Sequence, residues 1–174
     1  VPLWLRLIDP SLHSIGCIVA LLFIYTLSLP LYLIFPSSPA STTTKSTVDG
    51  STSSSTTTIN QSNKKLRWFA IHAIINFILS YYTLPDVLLT IRNPKQSMLL
   101  HISTWVPSYL SFSIHLYHII DERNNIRLED LKHHVIFVGI FGMFNFALIW
   151  GPVVNVLLLF ITGIPGGINY ILLI

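Results

Sequence analysis

The feature that most constrains this chain is a series of long apolar runs, beginning with an uncharged run from Ser14 to Phe35. A helix that crosses a bilayer needs about 20 mostly apolar residues. Only 10% of the residues are charged, whereas soluble domains carry about 25%. Because a small soluble domain cannot bury this much apolar surface, we predict an all-α polytopic membrane helix bundle whose outer faces contact lipid.

Five such runs predict about five membrane spans. In chain order the predicted spans are Ser14–Phe35, Lys64–Leu84, Ser97–Ile120, Leu131–Trp150 and Val153–Ile174. Pro30 and Pro107 should kink the first and third spans, and Pro85-Asp86 should interrupt the second. The segment Gly163–Gly167 breaks the last run, which is either one kinked helix packed through its glycines or a half-helix that turns back.

These runs divide the chain into three parts. Residues 1–36 hold the first span, and residues 64–174 form a four-span bundle. The Ser/Thr-rich residues 37–63 carry too little apolar surface to offset the entropy of ordering, so we expect a disordered loop. Since the sequence begins at Val1 and ends inside an apolar run, we expect it to belong to a longer protein with a larger bundle.

The basic residues near the spans predict the orientation in the membrane. Seven Lys and Arg residues fall on the side of the Ser/Thr-rich loop, and three fall on the other side. The positive-inside rule therefore places that loop in the cytosol and Val1 outside the cell or in a lumen. Asn60-Gln61-Ser62 is a glycosylation sequon, which requires the lumenal side. Such a short pattern recurs by chance in Ser-rich sequence, so the charge bias decides the prediction.

Charge and cysteine content exclude several function classes. The net charge is +3, but the basic residues lie in short loops and form no nucleic-acid-binding stripe. Cys17 is the single cysteine, which excludes an intrachain disulfide and a Cys-based zinc motif. The sequence also lacks the nucleophile motif GxSxG and a Gly-rich phosphate loop. We therefore predict no cofactor and no nucleic-acid partner.

Four of the seven histidines converge in the predicted topology. His115 and His118 close the third span, and His133 and His134 open the fourth. Consecutive antiparallel helices are usually neighbours, so these side chains should meet near the cytosolic face. His115 and His118 share a helix face at i,i+3 spacing, and Asp130 lies within i,i+4 of His134. A carboxylate on one ring nitrogen orients a histidine and raises its basicity.

This pattern predicts a site in which His133, His134 and Asp130 are catalytic. His115, His118 and Tyr117 would bind the substrate. The simpler alternative is that these histidines occupy the headgroup zone without a chemical role, and that His72 and His101 form hydrogen bonds between helices. A zinc site of three or four histidines is geometrically possible, but one HxxH and one HH motif are a weak signal, so no metal is predicted.

The segment Asp130-Leu131-Lys132-His133-His134, followed by an apolar span, resembles the core of the TLC superfamily of membrane proteins. In the ceramide synthases of that superfamily, an acidic residue precedes a His-His pair at the start of a membrane helix. The resemblance covers roughly Trp68 to Ile174. At the position of the Asp that the family carries in the preceding helix, this chain has His115 or His118.

The resemblance implies a multi-pass protein that handles membrane lipid, with an endomembrane such as the endoplasmic reticulum as its expected location. If it is an enzyme, it would transfer an acyl chain, with one histidine of the pair as general base. The alternative is a non-enzymatic lipid sensor, trafficking factor or assembly subunit with membrane-protein partners. The broken last helix also admits a transporter, although no internal repeat supports one.

Overall fold

The computed structural model describes residues 10–36, 53–95, 97, 102–122, 126–147 and 150–174 of the chain. In these ranges the backbone is helical apart from turns and short connections, so the predicted all-α class is confirmed. The helices are, in chain order, α1 (Pro10–Ile34), α2 (Ser53–Arg92), α3 (Val106–Asp121), α4 (residues 128–147) and α5 (Val153–Leu172). Of the predicted loop, residues 53–63 belong to α2, and residues 37–52 lie outside the described ranges.

The last two helices each contain a π-helical stretch. In α4 this stretch is His134–Gly142, and in α5 it is Leu159–Gly163. The backbone of Gly163 departs from helical geometry, with ψ at −110°, shortly before Pro165, which has no N–H to donate. The helix nevertheless continues to Leu172, so the last run is one distorted helix and not a half-helix that turns back.

Successive helices run antiparallel. Lys64 near the start of the apolar part of α2 forms an ion pair with Glu122, directly after α3, with Nζ and Oε2 3.0 Å apart. At the opposite end, Asn155 at the start of α5 lies 2.6 Å from Asp86 near the end of α2. Asn145 near the end of α4 donates to Ser108 at the start of α3 over 3.0 Å. The described helices therefore alternate in direction, as predicted.

One end of the bundle gathers ionised and polar side chains. The Tyr32 hydroxyl donates to Asp121 Oδ1 over 3.3 Å. The Arg67 guanidinium lies 4.1 Å from the centre of the Tyr32 ring. We call this end, with Tyr32, Lys64, Arg67, Asp121 and Glu122, the charged end. Its contacts join the end of α1, the start of the apolar part of α2 and the end of α3.

Three described helices are long and apolar enough to cross a membrane: Ser11–Ile34, Ser62–Arg92 and Val153–Leu172. By contrast, α3 has 16 residues, a length of about 24 Å. Large apolar side chains face outwards along the bundle, such as Leu33 with 85% and Leu172 with 79% of its surface exposed. This surface suits a hydrocarbon solvent and not water, which agrees with a membrane protein.

Two prolines differ from their predicted roles. The helix α2 continues through Pro85 to Arg92, so the predicted interruption is wrong; membrane helices tolerate an internal proline when neighbouring groups satisfy the freed backbone. Ser97 lies in a turn and residues 102–105 are not helical. Pro107 therefore lies in the first turn of α3, where its missing N–H costs nothing, and it starts that helix instead of kinking it.

The apolar core lies between α1, α2 and α3. Its fully or nearly buried members are Ile24, Ile71, Ile75, Leu110, Ile114 and Tyr117. On the other side of α2, α5 approaches through small residues. A methyl group added at Gly163 would lie 2.7 Å from Ser80 Oγ, and one added at Gly166 would lie 2.7 Å from Asn76 Nδ2. Close packing through glycine is a common way for membrane helices to associate.

We predict that Gly163→Ala destabilises the bundle by about 1–3 kcal/mol, because the added methyl overpacks the contact with α2. Ser80 Oγ cannot yield without losing its 2.7 Å bond to the Asn76 carbonyl. The matched control is Gly139→Ala, whose added methyl would meet nothing within 4 Å. It should be neutral or stabilising by about 0.5–1 kcal/mol. Unfolding by sodium dodecyl sulfate in mixed micelles measures both, and equal effects would contradict the packing account.

Candidate functional site

A cluster of histidine rings lies at the charged end of the bundle, where three helices meet. His115 and His118 come from the last turns of α3, and His133 and His134 come from the start of α4. The i,i+3 spacing puts the first two on one face of α3, and the antiparallel turn brings the start of α4 beside them. The structure thus brings all four side chains together.

Neighbouring rings in this cluster have centroids 4.9–5.9 Å apart. His134 lies 5.2 Å from His115 and 4.9 Å from His118. His133 lies 5.9 Å from His115 and 5.5 Å from His134. His134 is therefore the centre of the cluster, since it contacts each of the other three rings.

A fifth histidine, His72 of α2, joins the cluster from the opposite side. Its ring centroid is 6.4 Å from that of His118 and 3.9 Å from that of Trp68. Tyr170 of α5 adds a third aromatic neighbour, 4.9 Å from His72. The sequence predicted only interhelical hydrogen bonding or an interface position for His72. Its place seven residues after Lys65, near the start of the apolar part of α2, was the one signal that it lies at the charged end.

Hydrogen bonds fix the tautomers of two of these rings. His115 Nδ1 lies 2.6 Å from the carbonyl oxygen of Ser111, and His72 Nδ1 lies 2.9 Å from that of Trp68. Because a carbonyl only accepts, each Nδ1 carries the proton in the neutral ring, and each Nε2 keeps a lone pair. The two neutral rings therefore offer an acceptor or ligand atom on the side away from the helix backbone.

Two other ring nitrogens are buried without a hydrogen-bond partner: Nδ1 of His118 and Nδ1 of His134. Trp68 Nε1 beside them is buried and unpartnered as well. An unsatisfied buried polar atom costs about 1–3 kcal/mol. A site that keeps three such atoms side by side is a candidate for binding a group that pairs with them.

The five histidine side chains of the cluster differ in how deeply they are buried. His72, His118 and His134 are buried, His115 is half-buried and His133 is exposed. The exposed part of α4 next to His133 is mostly apolar, with 37% of Leu131 and 53% of Val135 accessible, and it includes the charged Lys132. The histidine cluster therefore opens towards the exposed side of α4.

The other two predicted site residues differ in how close they lie to the histidine rings: Asp130 is within electrostatic reach of His118 and His134, whereas Tyr117 packs in the apolar core. Asp130 is half-buried, and its Oδ2 lies 3.3 Å from Arg127 Nε. Tyr117 is buried in the apolar core, where its ring packs against Tyr25 of α1 with centroids 5.0 Å apart. The predicted substrate contact of Tyr117 therefore has no geometric support. His101, predicted to form interhelical hydrogen bonds, lies outside the described residues.

A small cavity of about 10 Å³ lies at the charged end of the bundle. Its lining includes Ser28, Lys64, Trp68, Tyr117 and Asp121. A cavity of this volume holds about one water molecule. Trp68 lines this cavity and contacts His72 and His118, so its side chain borders both the cavity and the histidine rings.

A second polar cluster lies at the opposite end of the bundle, around the buried carboxylate of Asp86. The carboxylate accepts hydrogen bonds from Ser103 N over 3.0 Å and from Asn155 Nδ2 over 2.6 Å. Asn155 Nδ2 also lies 3.1 Å from the Thr104 carbonyl oxygen. Asp86 lies fourteen positions after His72 in α2, which is a distance of about 21 Å along the helix. This cluster ties the starts of α3 and α5 to α2, which sets the position of α3.

Comparison with protein-family models, with curated proteins and with solved structures finds no match to this chain.

We predict that Asn155→Leu destabilises the bundle by about 1.5–3 kcal/mol, because a buried carboxylate loses a close donor. In a background of Asp86→Leu, where the acceptor is already absent, the same substitution should cost much less. Unfolding in mixed micelles of the wild type, the two single variants and the double variant completes the cycle. Strictly additive costs would show that the two side chains do not interact.

Proposed function

We propose that this protein is a lipid-handling membrane bundle of the TLC type that transfers an acyl chain at its cytosolic face. One observation carries the proposal: the histidine pair of α4 packs against the two histidines of α3, beside the exposed and mostly apolar face of α4. The segment Asp130 to His134 supports it through its resemblance to the ceramide synthases. In this proposal all five helices cross the bilayer, with the charged end in the cytosol, as the positive-inside rule favours.

His134 is the general base in this proposal. It is the most central ring of the cluster, only 5% exposed, and its Nδ1 has no hydrogen-bond partner. A neutral imidazole nitrogen with a lone pair can accept a proton from an attacking amine or hydroxyl. His115 and His118 contact His134 on either side, where they can hold the attacking group or the acyl carbonyl by hydrogen bonds.

The proposed reaction is one acyl substitution. The nitrogen or oxygen of the acceptor lipid attacks the carbonyl carbon of an acyl thioester while His134 takes its proton. The bond from the carbonyl carbon to sulfur then breaks, and the thiolate receives the proton from the imidazolium. The products are an acylated lipid and a free thiol, and the histidine returns to its neutral form. Positioning of both substrates and proton transfer are the two contributions of the protein.

Both substrates can enter sideways from the membrane. Around the histidine pair, the accessible residues of α4 are the apolar Leu131, Val135 and Ile136 and the charged Lys132. An acyl chain that lies along this face keeps its hydrocarbon in lipid while its polar end meets His133 at the charged end. This route requires no water-filled channel through the bundle.

We predict that His133→Ala combined with His134→Ala abolishes acyl transfer. Loss of a general base lowers the rate by about 10²–10⁴-fold. The assay uses membranes containing the protein, a long-chain acyl thioester, and a long-chain amine or alcohol as acceptor. The matched control is Lys132→Ala, an exposed neighbour on the same helix, which should keep full activity.

Membrane insertion of each variant is checked by extraction with carbonate and by gel filtration in detergent. Unchanged product from an inserted double variant would remove the acyl-transfer proposal. The histidines would then have a structural role, and the non-enzymatic lipid-binding alternative would take its place.

A further inference from the structure

Three histidines of the cluster form a nearly regular triangle. The ring centroids of His115, His133 and His134 are 5.2, 5.5 and 5.9 Å apart. Their potential ligand nitrogens all lie within 4.8 Å of one another. Three imidazoles around one tetrahedral zinc ion, with Zn–N bonds of about 2.0–2.1 Å, have centroids about 5.2 Å apart. The observed triangle is therefore close to the size that an ion requires.

We propose that His115, His133 and His134 bind one divalent transition-metal ion, of which Zn²⁺ fits the ligand set best. Neutral imidazole nitrogen is a preferred ligand of zinc, and three protein ligands leave a fourth position open. Ligand nitrogens of a tetrahedral zinc site lie about 3.3 Å apart, so rotation of the three side chains must bring these nitrogens closer than the present 4.8 Å. The proposal goes beyond acyl transfer and does not depend on it, because metal binding is measured on the protein itself.

The orientation of His115 supports a ligand role. Its Nδ1 donates to the carbonyl of Ser111 over 2.6 Å, so Nε2 is unprotonated in the neutral ring. A histidine that ligates a metal almost always donates its other ring N–H to a carbonyl, a carboxylate or water in this way. The bond fixes both the tautomer and the direction of the ring before any metal arrives.

The charges around the triangle also allow a cation. The C-terminal end of α3 carries a partial negative charge, whereas the N-terminal end of α4 carries a partial positive charge, so the two helix ends oppose each other. Four acidic side chains lie at these helix ends and favour the cation: Asp121, Glu122, Glu129 and Asp130. Glu122 and Asp130 form ion pairs with Lys64 and Arg127, and the exposed Lys132 opposes the cation. No cysteine is needed, because the ligand set is all nitrogen.

Metal binding and acyl transfer would compete at His134, since both use a lone pair of the same ring. A bound ion would therefore inhibit transfer, and removal of the ion would restore it. This consequence rests on the proposed function, whereas binding itself does not. The two proposals can fail separately.

The test uses the full chain, purified in detergent through an affinity tag without histidine and stripped of metal with a chelator. We expect one equivalent of Co²⁺ to give the visible absorption of a tetrahedral site, and one equivalent of Zn²⁺ to displace it. Mg²⁺, which prefers oxygen ligands, should not displace it. Each of His115→Ala, His133→Ala and His134→Ala should weaken zinc binding by at least about tenfold.

His72→Phe is the matched control, because His72 belongs to the cluster but not to the triangle, and it should bind zinc as the wild type does. His133 is exposed, so His133→Ala tests the site even if variants of the buried rings fail to fold. The proposal is overturned if the wild type binds no Zn²⁺, or if His133→Ala binds it with unchanged affinity. Loss of binding in His72→Phe equal to that in His133→Ala would also overturn the assignment of the triangle.

Discussion

The packing of α3 and α5 against α2, with α1 packed mainly on α3, is the arrangement on which the rest of the described bundle depends. The two ends of α2 carry different polar groups, His72 at the charged end and Asp86 at the other. Asp86 holds the start of α3 through Ser103, and Lys64 holds the end of α3 through Glu122. Because α3 is tied to α2 at both ends, its histidines are held at a defined depth beside α4.

The position of the histidine cluster at the edge of the bundle determines which of its ring nitrogens find hydrogen-bond partners. Histidine rings packed together at the edge of an apolar bundle do not all find hydrogen-bond partners, and Nδ1 of His118 and of His134 have none. Polar atoms left in this state are expensive to bury. A lipid headgroup that donates a hydrogen bond to such a nitrogen, or a metal ion that binds its lone pair, would reduce the free-energy cost of burying it. The proposed acyl transfer and the proposed metal site both use a lone pair of His134.

Local spacing predicted part of this arrangement. The i,i+3 pair His115 and His118 and the antiparallel order of α3 and α4 were enough to place four histidines together. His72 and Asp86 depend on contacts between residues far apart in the chain, such as the bond from Asn155 to Asp86 across 69 positions, and single-sequence patterns do not contain such pairings. Pro85 shows a second limit of prediction from local sequence. Proline tends to break a helix, but tertiary packing outweighs that tendency in α2.

The convergence of α3 and α4 histidines is the central claim, and cross-linking in native membranes tests it most directly. In a Cys17→Ser background, His118→Cys and His134→Cys should be joined by a short thiol-reactive cross-linker, since their rings lie 4.9 Å apart. A protease site inserted between the two helices shows whether they stay linked after cleavage. Tyr117→Cys, which faces α1, should not join to His134→Cys. Linkage of the Tyr117 pair without linkage of the His118 pair would contradict the account.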